Sequence, residues 1–170
     1  MGRENKGLTL IELLVALAVA AILITVGAPE LRSMLERNRA QDAVSRWQGD
    51  LSYARQAAAA YQTSITVCPL NSASSCSGDW SQGYTIFIDA NSNGALEALD
   101  ERLHQRNPID ARDAIGADSP QRFRFTEDGL SEEAGTLVYC AGSAADDAIK
   151  AVSVSSTGQA RQIETSLTCD

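Results

Sequence analysis

The chain has one histidine, His104, and no C-x-x-C pair, so the usual ligand sets of a zinc site are missing. It has no nucleophile elbow and no phosphate loop, and it is therefore read as no enzyme. His104 stands near no serine, cysteine or paired carboxylate that would form a catalytic constellation, and it reads as an ordinary surface or strand histidine. There is no internal repeat and no long low-complexity tract. Bases are scarcer than acids, 14 against 22, for a net charge of −8. An acidic surface of this kind disfavours generic binding to nucleic acid or anionic lipid. Proline is absent before Pro29.

That last absence frames the most informative stretch. Residues 8–28 are apolar apart from Thr9, Glu12 and Thr25. At about 1.5 Å of rise per residue such a helix spans roughly 30 Å, the thickness of a hydrocarbon core. A carboxylate costs about 2.5–3.5 kcal/mol at the centre of such a helix, and less near an end. Glu12 is thus either a functional acid awaiting a cationic partner or an interfacial residue of an ordinary signal anchor. The leader, residues 1–7, carries Arg3 and Lys6 against Glu4 and should stay cytoplasmic. A secretory cleavage site would follow the apolar run, where V-G-A-P-E has only weak A-x-A character. The polar-to-apolar junction at Gly7/Leu8 is the other site.

G-L-T-L-I-E-L at residues 7–13 resembles the type IV pilin and pseudopilin superfamily, with Leu8 where G-F-T-L-I-E is usual. The resemblance implies that a prepilin peptidase cuts between Gly7 and Leu8 and methylates the new amino group of Leu8. Glu12 then becomes the fifth mature residue, and Pro29 takes the place of a helix-kinking proline. In a filament the apolar helices would bundle, and Glu12 would pair with a neighbour's amino terminus. Such pairing fixes register, the best-attested use of a buried charge. Losing the leader removes two bases and one acid, leaving 12 against 21 and a net charge of −9.

Beyond residue 28 about 140 residues remain, enough for one domain with its own core. Four cysteines, at 68, 76, 140 and 169, all follow the apolar segment. Their even number on an exported domain suggests disulfides, in one of three connectivities. The favoured pairs are Cys68–Cys76, closing a Ser/Asn/Gly-rich loop, and Cys140–Cys169, pinning the C-terminus. Loop entropy makes them worth roughly 2.5 and 3.5 kcal/mol.

Apolar residues from Leu31 to Tyr61 recur at three- and four-residue steps, with Arg32, Glu36, Arg37, Arg39, Asp42, Arg46, Asp50 and Arg55 between them. This predicts an amphipathic helix over 29–62 that continues the first, more than 50 residues in all, kinked near Pro29. Strands are predicted at 64–68, 83–89, 102–109, 122–126, 137–140, 151–155, 161–165 and 167–169, with loops at 69–79 and 90–100. Gly158 marks the turn before Arg161. Trp47 and Trp80 read as core anchors. The expected organisation is a leader (1–7), a transmembrane helix (8–28), an amphipathic helix (29–62) and a β-rich head (63–170). The fold class is α+β: a long N-terminal helix packed on a small antiparallel β-sheet.

The head narrows the resemblance. V-C-P…C-S-G-D-W-S-Q-G-Y-T-I-F-I-D-A-N-S-N-G, F-T-E-D-G-L, L-V-Y-C, V-S-S-T-G-Q-A-R and a late cysteine are similar to the GspH/FimT group. That group holds minor pilins of type IV pili and minor pseudopilins of type II secretion, and the cysteine pattern leans towards the pilus members. The resemblance implies single-pass insertion in a bacterial inner membrane with a periplasmic head. Partners would be other minor and major pilins, the prepilin peptidase, the assembly platform and membrane lipid. It implies a part in pilus priming or a tip complex, and so in twitching motility or adhesion.

Two further sites come from the head. Asp89, Asn91, Asn93, Gly94 and Asp100 have the spacing of a calcium loop. However, a strand precedes them, and the last position is Asp rather than bidentate Glu, so an Asx-rich turn is the competing reading. Some FimT members bind DNA for transformation through G-R-x-R; here residues 158–161 read G-Q-A-R, leaving Arg161. Arg122 and Arg124, two apart on a strand, would share a face and add a local basic patch.

Overall fold

The computed structural model describes residues 9–142, 148–163 and 169, without the side chains of 26–29. Gly7 and Leu8 lie outside the described residues, as do 164–168 of the last predicted strands. The chain divides into two units, Met1–Leu35 and Glu36–Asp170.

In the first unit, α1 (Leu10–Tyr61, 52 residues) begins, and it continues through Pro29. Its large apolar side chains from Leu10 to Ile24 are exposed. By length and composition this exposed apolar segment can cross a membrane. Thr25, the one polar side chain in mid-run, donates its hydroxyl to the Ile22 carbonyl at 2.9 Å and so presents no free donor.

The second unit takes the rest of α1 and eight strands: β1 (Ile65–Cys68), β2 (Tyr84–Ile88), β3 (Arg102–Arg106), β4 (Ala114–Ile115), β5 (Phe123–Phe125), β6 (Gly135–Cys140), β7 (Ile149–Val154) and β8 (Ala160–Ile163). A 3-10 turn, Trp80–Gln82, leads into β2. Where the sequence predicts one small sheet, the structure has two of four strands each, ordered β3-β2-β1-β5 and β4-β6-β7-β8, all antiparallel. After β5 the chain reverses, with Thr126 N donating to the Leu130 carbonyl and Gly129 at φ 71°. β6 therefore starts a second sheet instead of extending the first.

Both sheets bury a face against the same stripe of α1. Ala40, Ala43, Val44, Trp47, Leu51, Ala54 and Ala58 join Ile65, Val67, Ile86, Phe123 and Phe125 of one sheet, and Leu137, Val152 and Val154 of the other. Alanines hold four of these seven helix positions, and Trp47 packs edge-on against Tyr139 of β6, with ring centroids 5.6 Å apart. Trp80 is also buried, and its indole donates to the Pro120 carbonyl at 2.7 Å. Both tryptophans are core anchors. The helix ends where Gln62 adopts φ 53° and Thr63 N reaches back to the Ala58 carbonyl, a C-terminal cap of the Schellman kind.

The strand predicted over 102–109 stops at Arg106, because Pro108 cannot donate to a ladder. The two-residue β4 and the 3-10 turn were not predicted; neither is long enough to show a period. Gly158, at φ 73°, turns β7 into β8, and a Cβ there would lie 2.2 Å from the Gly129 carbonyl oxygen.

Candidate functional site

At the start of α1, Thr9 and Glu12 cap the helix reciprocally. Glu12 N donates to Thr9 Oγ1 at 3.3 Å, while Thr9 N and its hydroxyl donate to Glu12 Oε2 at 3.4 Å. This is the S/T-x-x-E capping box, legible in T-L-I-E though not drawn from the sequence. Glu12 remains exposed, and among the described residues it has no cationic partner. The carboxylate is held at a helix end with capacity to accept more.

Both cysteine bridges, Cys68–Cys76 and Cys140–Cys169, are formed in the structure. The first closes the loop between β1 and β2. The second ties Cys169 to the end of β6.

Two ion-pair clusters that the sequence did not suggest fasten α1 to the sheets. Arg106 Nε and Nη2 donate to the Asp50 carboxylate at 2.8 and 2.9 Å, and the Tyr84 hydroxyl donates to it at 2.6 Å. Arg39 Nε and Nη2 donate to Asp113 at 3.0 and 2.8 Å, joined by the Tyr139 hydroxyl at 2.5 Å and Gly142 N at 2.8 Å. Burial alone would raise both aspartates, but these donors outweigh it and hold both below the usual carboxylate range. Burial, together with the facing carboxylates, pushes both tyrosine hydroxyls well above the usual phenol value. One sign was available: Asp50 lies three residues after Trp47 and four before Ala54, on the apolar stripe itself. An acid there must be paired.

The loop with calcium-site spacing is held together by its own hydrogen bonds. The fully buried Asp89 carboxylate accepts from the Thr66 hydroxyl at 2.7 Å and from Asn93 N and Gly94 N at 3.0 Å each. Asn91 Oδ1 accepts from Asn93 N, Asn93 Oδ1 from Ala95 N, and Asp100 Oδ2 from Glu97 N. These side-chain oxygens accept from the loop's own N–H groups, the pattern of an Asx-rich turn. Among the described residues no cluster of His, Cys, Asp and Glu is arranged to hold a metal.

The basic patch is not assembled either. Arg124 is buried, donating to Glu132 at 2.7 Å and lying 3.6 Å from Asp89, while Arg122 pairs with Glu133 at 2.8 Å. Each guanidinium is neutralised by carboxylates that follow β5 or precede β3. Arg161 is exposed on β8, and its guanidinium is bonded to Gln159. His104 lies half-buried on β3 opposite Ile86, with Nε2 buried and unbonded.

Residues 43–158 match the family model described as type II transport protein GspH, and residues 2–28 match the prokaryotic N-terminal methylation motif. Among solved structures, the chain is similar to the type IV minor pilin FimU of Pseudomonas aeruginosa (strain PAO1) in two crystal forms. The P21 form is 22% identical over 81% of this chain and 99% of that chain, with a TM-score of 0.62. The P65 form is 20% identical over 76% and 99%, with a TM-score of 0.57. No curated protein matches the chain.

Proposed function

Because the chain belongs to the GspH family and opens with the N-terminal methylation motif, we propose that it is a minor pilin, a non-catalytic subunit of type IV pilus assembly. One observation carries this reading: a membrane-length helix whose described apolar side chains from Leu10 to Ile24 are exposed, with one capped carboxylate near its start. An anchor needs only the apolar length. A helix that must leave lipid and pack among like helices has use for one charge that specifies register.

The mechanism follows from that charge. Cleavage between Gly7 and Leu8 gives Leu8 a new amino group, four residues before Glu12. While the subunit waits in the inner membrane with its head in the periplasm, Thr9 shares the carboxylate. In the filament a neighbour's amino terminus supplies the cation, and the attraction is strong because little water remains around it. Apolar helices pack around the pair, and heads dock outside. Prepilin peptidase, the assembly platform and other pilins are the partners this scheme requires. Its place is in priming or a tip complex, serving twitching motility or adhesion.

The name of the family supports a second reading, a minor pseudopilin of type II secretion. Deletion of the gene separates the two. Loss of surface pili with normal export of secreted enzymes fits the minor pilin, and the reverse fits the pseudopilin. DNA binding has little support, since Arg122 and Arg124 are internally neutralised.

A further inference from the structure

The loop between β2 and β3 ends in an apolar tip framed by acids. Leu99 is 100% exposed, with Glu97, Asp100 and Glu101 beside it. The tip is held in shape: Glu97 N donates to Asp100 Oδ2 at 2.8 Å, Asp100 N to the Glu97 carbonyl at 3.1 Å, and Leu96 N to the Ser74 carbonyl at 2.8 Å. A leucine presented this way is solvated at a cost that burial in a partner would relieve.

A complementary groove of about 450 Å³ lies between α1 and the sheets. Trp47, Pro108 and Ile109 give it apolar walls, and Arg39, Arg46 and Arg106 stand around it. Arg39 and Arg106 are bound to Asp113 and Asp50, and the nearby Asp110 is bound by Arg112. Arg46 is exposed and has no carboxylate partner among the described residues. Asp42 also lines the groove, four residues before Arg46.

Tip and groove sit at opposite ends of one hairpin. Tyr84 and Arg106, which face each other, border the groove; Phe87 and Arg102 pair near the other end. The tip's loop is tied to the residues just after α1, since Asp89 N donates to the Ser64 carbonyl and Ser92 to the Ser64 hydroxyl. From Trp47 to Tyr61 the helix rises roughly 20 Å, so a chain cannot fill its own groove with its own tip. A knob and a hole at different places on one molecule make a heterologous contact, which closes into a ring or repeats as an open filament according to the rotation between copies.

We propose that the 96–101 tip of one copy docks in this groove of a second copy, with Leu99 against Pro108 and Ile109 and the flanking carboxylates facing Arg46. The proposal rests on the assembly reading and names a partner for it.

The test uses the full chain in detergent micelles, with p-benzoylphenylalanine in place of the exposed Ala98 so that Leu99 is kept. Irradiation should give a dimer adduct whose cross-linked peptide falls within 39–47 or 106–110. Arg46→Glu should lower its yield several-fold, and adding Glu101→Arg should restore it. No dimer adduct, a cross-link elsewhere on the head, or a yield indifferent to Arg46→Glu would each overturn the contact. Micelles contain no assembly machinery, so this result is independent of surface piliation. A failed cross-link beside normal incorporation into pili removes the docking and leaves the assembly reading; the opposite pair of results removes the assembly reading.

Discussion

Asp113 shows how one residue joins helix, loop and sheet. Its fully buried side chain accepts from Arg39 on α1, Tyr139 on β6 and the backbone at Gly142. Asp113→Ala leaves a buried hydroxyl and an amide without their acceptor, and should cost about 3 kcal/mol in urea unfolding. Tyr139→Phe removes one donor and should cost about 1 kcal/mol. The pH dependence follows from the shifts. Asp50 and Asp113 are held below the ordinary carboxylate value when folded, so their contribution is complete above about pH 4 and is lost as pH falls further. Tyr84 and Tyr139 are raised, so stability falls as pH climbs past about 10, where the unfolded phenols ionise first. Melting temperature against pH should therefore fall at both ends. In the double variant Asp50→Asn/Asp113→Asn, less stable overall, the acid limb should flatten.

At the scale of elements, the loop after β2 is a structural plug for the first sheet. Asp89→Ala strips the partners from Thr66, Asn93 N and Gly94 N and leaves Arg124 buried with less compensation, a loss of about 3–5 kcal/mol. Adding calcium or a chelator to the wild type should leave its melting unchanged, because the loop oxygens already accept from N–H groups. The elements themselves were largely legible. Residues 31–61 show the helical stripe, and G-Y-T-I-F-I-D shows β2, since long periodic runs record their own burial. Pairing was not legible. Nothing local in R-F-R-F-T tells that Arg124 turns inward to Asp89 and Glu132 instead of outward as a basic patch. Nor does the sequence between β5 and β6 tell that a second sheet begins. Both depend on residues brought together from distant parts of the chain.

For the whole molecule, the two units face different demands. Among its described residues the head has a core, two disulfide bridges and ion pairs centred on Asp50, Asp113 and Arg124. The apolar half of α1 keeps its large side chains uncovered within the chain. Its stability must come from lipid or from other helices; in the proposed function it comes from both in turn, with Glu12 managing the transfer. The direct measurement compares wild type and Glu12→Ala in a deletion strain, by immunoblot of membranes and of sheared surface filaments. Both proteins should be cleaved at Gly7/Leu8 and accumulate in the membrane, while the variant should be depleted from the filaments. Incorporation of Glu12→Ala at the wild-type level, or absence of the wild-type chain from the filaments, would overturn the role given to Glu12.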